Sequence, residues 1–206
     1  MSLVILKKQD LPDFVNRLMQ AYRIGGPVQK NNGFAFETVE DPDALRLDYT
    51  TTILPPKKFL LPIKETILEY EDARIGKLKK LEEEPPTVIF GVHTCDVHAI
   101  QLLDRVFSTG QVDPYYTKRR QQTAIVSIEC LSPCDPNSFC KSMGTLTAEE
   151  GYDIHLVDLG DVYTMDVATD LGLELIKHAQ VTPAKLLAVR RERHQRPSAG
   201  KSRASA

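Results

Sequence analysis

"TVIFGVHTCDVHAIQLLDRVF", residues 87 to 107, decides how the chain folds. Its first six residues are a continuous apolar run, the pattern of a strand buried on both faces of a parallel sheet. From Val97 onward the apolar positions fall at Val97, Ile100, Leu103 and Val106 or Phe107, which is helical spacing. "DPYYTKRRQQ" (113–122) opens as a second helix, with Asp113 as cap and Pro114 at the first helical position. "TAIVSIE" (123–129) is a second buried strand. Strand, helix, helix, strand is a βαβ crossover and implies a parallel pair.

Outward from this unit, "QDLPDFVNRLMQAYRI" predicts an amphipathic helix, capped by Asp10 with Pro12 in its first turn and ended by "GGP". "PVQKNNGFAFETV" reads as a hairpin turning at Asn-Asn-Gly. "LDYTTTILPPKKFLLPIKETI" is extended and punctuated by proline, so it is expected to pack across a surface rather than form a central strand. "EYEDARIGKLKKLEEEPP" reads as a charged surface connection. On the other side, "YDIHLVDLGDVYTMDVA" alternates as two strands, 154–159 and 162–167, joined by Gly160-Asp161. Two short helices are expected after it, capped by Thr169 and by Thr182 with Pro183 following. The predicted class is α/β, a mixed and partly parallel sheet flanked by helices, with an N-terminal helix-hairpin part. The expected divisions are 1–86, 87–189, which carries the cysteines, and a basic tail, 190–206; the first two read as one compact unit.

Composition limits the function. With 206 residues, 42% of them hydrophobic, the chain can bury a core without disulfide staples. Four cysteines and no signal-peptide pattern at "MSLVILKKQDLPDF" point to a reducing cytoplasm, where clustered thiols serve metals or redox chemistry. No apolar stretch is long enough to span a bilayer, so no direct membrane insertion is expected. The net charge of −2 divides into +5 from Arg190 onward, six Lys/Arg against one Glu, and −7 before it. An acidic body argues against nucleic acid as the main partner.

The cysteines carry the functional signal. Cys130, Cys134 and Cys140 lie within "IECLSPCDPNSFCKSMG" (128–144), a polar loop that gives three thiols no packing reason to be there. Cys95 falls where the strand ending "FGV" turns into its helix, and Cys130 follows the strand "TAIVSIE". Both therefore lie at the carboxyl edge of parallel strands, where open α/β sheets bind ligands. Four neighbouring thiolates need a cation, and the soft choices are zinc or an iron-sulfur cluster. Paired Cys-x2-4-Cys knuckles are the usual zinc spacing; gaps of three and five with one solitary ligand suit a cubane, whose corners lie apart. Cys95 by itself also fits a small buried hydrophobe. A third option is a thiol-redox enzyme in which His93 or His98 activates Cys95. His155 and His178 carry no signal.

"FGVHTCDVHAIQLLDRVF", "DPYYTKRR", "ECLSPCDPNSFCKSMGT", "GYDIHLVDLGD" and "LDYTTTILPPKKFLLP" together resemble the N-terminal region of the iron-sulfur β subunits of cytoplasmic nickel-iron hydrogenases (sulfhydrogenases) and of the related iron-sulfur subunit of anaerobic sulfite reductase, over roughly residues 10–180. The resemblance implies an electron-transfer subunit of a cytoplasmic oxidoreductase complex that does not itself turn over substrate. It also implies an iron-sulfur cluster, with Cys95, Cys130 and Cys140 on the shared motif positions, and flavin or ferredoxin-like and catalytic subunits as partners; together with the cysteine placement it gives one [4Fe-4S] cluster on Cys95, Cys130, Cys134 and Cys140, zinc remaining the alternative from the thiols themselves. The chain departs from the family at two points. No Cys-x2-Cys-x2-Cys-x3-Cys-Pro run occurs, so the family's two-cluster relay is not carried over. Ser138 stands where relatives have a cysteine, and Cys134 occupies a position that is often not cysteine.

Overall fold

The structure, a computed structural model, describes residues 2–66 and 85–183. The expected charged connection and the helix continuing past Pro183 into the basic tail fall largely or wholly outside the described residues. Among the described residues, eight strands form one sheet: β1 (Ser2–Lys7), β2 (Arg23–Lys30), β3 (Gly33–Thr38), β4 (Thr87–His93), β5 (Thr123–Ile128), β6 (Ile154–Asp158), β7 (Val162–Val167) and β8 (Thr182–Pro183). They lie in the order β3-β2-β4-β5-β6-β7-β1-β8. The centre is parallel, β2 with β4, β4 with β5 and β5 with β6, and the remaining pairs are antiparallel. The expected mixed α/β class is what is found.

Four α-helices among the described residues cover the sheet: α1 (Leu11–Leu18), α2 (Thr94–Ser108), α3 (Pro114–Gln121) and α4 (Asp170–Ile176). On one face, Phe14, Val15 and Leu18 of α1 and Leu175 of α4 pack on Val88, Phe90, Val126 and Leu156. Phe14 meets Phe90 edge-to-face, ring centroids 5.9 Å apart, a favoured aromatic geometry. On the other face, Val97 and Ile100 of α2 and Tyr116 of α3 pack on Ile89, Val92 and Ile125. Both faces of β4 and β5 are thus buried, which is why their sequences do not alternate.

Local chemistry explains the boundaries. Asp113 caps α3, its carboxylate accepting from the N–H groups of Tyr115 and Tyr116 at 2.8 and 3.0 Å. Thr169 caps α4, accepting from Gly172 N–H at 3.0 Å. The β2–β3 hairpin turns at Asn31, φ 51°, a left-handed conformation that asparagine tolerates better than most residues.

Two expectations change, and one strand has no signal in the sequence. "GGP" does not lie outside the strands but inside β2. A Cβ on Gly25 would sit 2.5 Å from the Phe59 ring and one on Gly26 2.4 Å from Leu45, so the glycines let the extended segment 45–60 press onto the sheet. "SLVILK", too short to show a period, is a strand, because β7 and β8 pair with it on both sides. Thr182 and Pro183, expected as the cap and first residue of a helix, pair with Ile5 and Val4, and the rest of that expected helix lies outside the described residues. The proline-rich segment packs across the surface as expected, burying Tyr49, Phe59 and Leu60.

Candidate metal centre at the carboxyl edge of the parallel strands

The register of β4 and β5 brings two distant cysteines to one edge. Their pairing is regular from Thr87↔Thr123 to Phe90↔Val126, slips at Gly91, and ends with His93 level with Ile128. Cys95 and Cys130 each follow two residues later. Gly91 has φ +71°, which suits glycine and permits the bulge. A Cβ there would also lie 2.7 Å from Leu47. Tyr49 locks the bulge from outside: its hydroxyl donates to the Gly91 carbonyl at 2.7 Å, and its ring stacks on His93 at 4.1 Å with a 3° interplanar angle.

The start of α2 has no side-chain cap, so its first N–H groups need other acceptors. The Cys130 sulfur lies 3.7 Å from the Thr94 hydroxyl, and the Thr94 hydroxyl and backbone N–H both lower the Cys130 thiol pKa against the effect of burial. A helix start offers N–H groups and the positive end of the helix dipole to an anion. Cys134 hydrogen-bonds through its thiol to the Thr50 carbonyl at 3.1 Å. Ser138 is engaged in a turn of the loop: its hydroxyl accepts from Asp135 N–H at 3.1 Å, while the Asp135 carboxylate accepts from Asn137 N–H at 2.7 Å. Cys140 sits at the far side of that turn, its carbonyl accepting from Thr145 N–H at 2.9 Å.

All four cysteines are free thiols and half-buried. Burial, then Asp96, Cys130, Cys140 and Cys134, push the Cys95 thiol up to about 12. Burial also raises Cys130, opposed by the Thr94 donors, and raises Cys134, to which Cys130, Cys140 and Asp135 add. The four sulfurs therefore lie within one another's electrostatic reach, and the charges pressing on Cys95 are of one sign. Burial and like charges therefore both work against ionising these thiols. Among the described residues no group of three His, Cys, Asp or Glu converges tightly enough to hold a single metal ion. A cleft of about 240 Å³, with Tyr49, His93, Glu129, Cys130 and Cys134 in its walls, opens beside the thiols.

The chain is homologous to a sulfhydrogenase β subunit. Over 176 residues, 85% of its length, it is 39% identical to the sulfhydrogenase 2 subunit beta of Pyrococcus furiosus. That stretch is 51% of the relative, so the chain spans about half the length of the curated protein it matches. No family model matches the chain, and no solved structure does.

The two histidines that flank Cys95 have contacts and surroundings of their own. His93 is 8% exposed, and burial lowers its pKa to about 4. The His98 imidazole bonds the Thr147 carbonyl at 2.9 Å, holding the exit of the cysteine loop to α2. Three groups that the sequence does not single out belong to the site. Tyr49 supports the bulge. Asp96, beside Cys95, is pushed up to about 6 by burial, against the pull of Lys57. His155 joins Ser127 at 2.7 Å and Glu129 at 2.8 Å and stacks on Tyr152, which fixes the carboxylate next to Cys130. The one available signal for His155 is its place in a buried strand, where an ionisable group requires partners.

Proposed function

We propose that the chain is an electron-transfer iron-sulfur unit of a cytoplasmic oxidoreductase complex of the hydrogenase type, holding one [4Fe-4S] cluster through Cys95, Cys130, Cys134 and Cys140. The observation that carries it is the set of four half-buried thiols at the carboxyl edge of β4 and β5, each of the three whose pKa is shifted being raised by burial and by its neighbours. Bringing four thiolates together requires a cation. Thiols that lie within electrostatic reach without converging on a point suit a cluster with separated corners better than one zinc ion. The homology to a sulfhydrogenase β subunit supports the same assignment, and flavin or ferredoxin-like and catalytic subunits are the partners proposed.

When bound, such a cluster accepts one electron and passes it on. The residues of this chain supply its setting. Cys95 and Cys130 approach from the ends of adjacent strands, and Cys134 and Cys140 from the loop. The start of α2 directs N–H groups toward sulfur, favouring the more negative, reduced state. The Tyr49–His93 stack and the segment 45–60 shield one side from water. Cys95 as a nucleophile is disfavoured, since its thiol is pushed up to about 12 and His93 is a poor base.

Anaerobic purification tests the proposal. The protein should be brown, contain iron and acid-labile sulfide in about equal amounts, and give an EPR signal on reduction. Colourless protein carrying one zinc per chain would replace the electron-transfer assignment with a zinc-stabilised adaptor.

A further inference from the structure

Thr94 touches both ends of the cysteine loop at once. Its hydroxyl lies 2.9 Å from the Leu146 carbonyl, at the loop's exit, and 3.7 Å from the Cys130 sulfur, at its entrance. Thr94 itself is 1% exposed. A threonine hydroxyl has one proton, and in the geometry here the shorter contact, to Leu146, takes it. Negative charge on the Cys130 sulfur makes that sulfur the stronger acceptor. The same proton then has a second place to go, and a rotation about one side-chain bond takes it there.

We infer that Thr94 is a positioning residue that holds the Cys130 sulfur, stabilises negative charge on it through the hydroxyl, and ties that charge to the anchorage of residues 145–148 on α2. This rests on the assignment of Cys130 as a cluster ligand. The pair Thr94→Val and Thr94→Ser separates the hydroxyl from the shape of the side chain, since valine keeps the volume and serine keeps the donor. Hydrogen bonds to ligand sulfur raise the reduction potential of an iron-sulfur centre.

Two readouts test it on the full chain. Redox titration followed by EPR should give Thr94→Val a more negative midpoint than wild type at unchanged iron content, with Thr94→Ser close to wild type. Amide exchange followed by mass spectrometry should show residues 140–148 exchanging several-fold faster in Thr94→Val and not in Thr94→Ser. An unchanged midpoint in Thr94→Val, or an equal shift in both variants, overturns the inference. If the protein carries no cluster, the electron-transfer assignment fails, and the exchange measurement alone decides for Thr94: faster exchange confined to Thr94→Val supports its tie to the loop, and equal rates remove it.

Discussion

Cys134 and Ser138 are the two loop residues at which the chain departs from the pattern it otherwise resembles, and their side chains do different things. The Cys134 thiol reaches the Thr50 carbonyl at the rim of the cleft, whereas the Ser138 hydroxyl is spent inside the loop on Asp135. The expected ligand is therefore Cys134. Replacing it by serine should lower the iron bound per chain by half or more, as measured by iron and sulfide analysis, while Ser138→Ala should leave the iron content unchanged. A fully loaded Cys134→Ser protein would remove Cys134 from the ligand set. Two ionisable residues flanking Cys95 give a pH test in the metal-free protein. Asp96 is raised from 3.8 to about 6, so the folded state holds its proton more tightly; the stability it contributes is present below pH 3.8 and lost as pH rises through about 6. His93 is depressed from 6.5 to about 4, so its contribution is present above pH 6.5 and lost as pH falls through about 4. Each effect is on the order of 2–3 kcal/mol. In the shared window they oppose each other, and wild-type stability should change little through these two groups. Urea denaturation should show Asp96→Asn losing stability on acidification from pH 6.5 relative to wild type, and His93→Phe gaining it.

At the scale of elements, the bulge at the end of β4 decides where α2 begins. Gly91 has the left-handed φ, carries the carbonyl that receives Tyr49, and leaves room for Leu47. Gly91→Ala should cost about 2 kcal/mol or more from strain and crowding together. It should also displace His93 and the start of α2, lowering both the thermal midpoint and the iron content. A variant that unfolds at a lower temperature yet loads iron normally would show that the bulge serves stability alone. The crossover itself is legible in the sequence, since two apolar runs bracket two helical patterns with a recognisable Asp-Pro cap. The bulge is not, because a glycine in a buried strand has several possible reasons and the hydroxyl that bonds its carbonyl, that of Tyr49, lies forty-two positions away.

At the scale of the whole molecule, the first and last described strands lie side by side. β1 lies between β7 and β8 and buries Leu6 completely. Leu6→Ala should cost about 2–4 kcal/mol, read as a shift of the urea midpoint. An effect below about 1 kcal/mol would mean that this edge of the sheet tolerates loose packing. Six residues of "SLVILK" contain too few periods to announce a strand, and Thr182-Pro183 carries a helix-start signal although these two residues pair with β1. Local pattern by itself determined the α/β class, the parallel pair β4–β5, the helices α1 to α3 and the four thiols as candidate ligands, because buried apolar runs, caps and a polar cysteine loop are written in adjacent residues. Tertiary structure alone decided that Cys95 and Cys130 stand at equivalent distances from the ends of adjacent strands, that Thr94 and Tyr49 support the site, that His98 anchors the loop, and that the two ends of the described chain share a sheet. Each of those facts depends on register, and register is fixed by contacts between segments tens of residues apart that no local window contains.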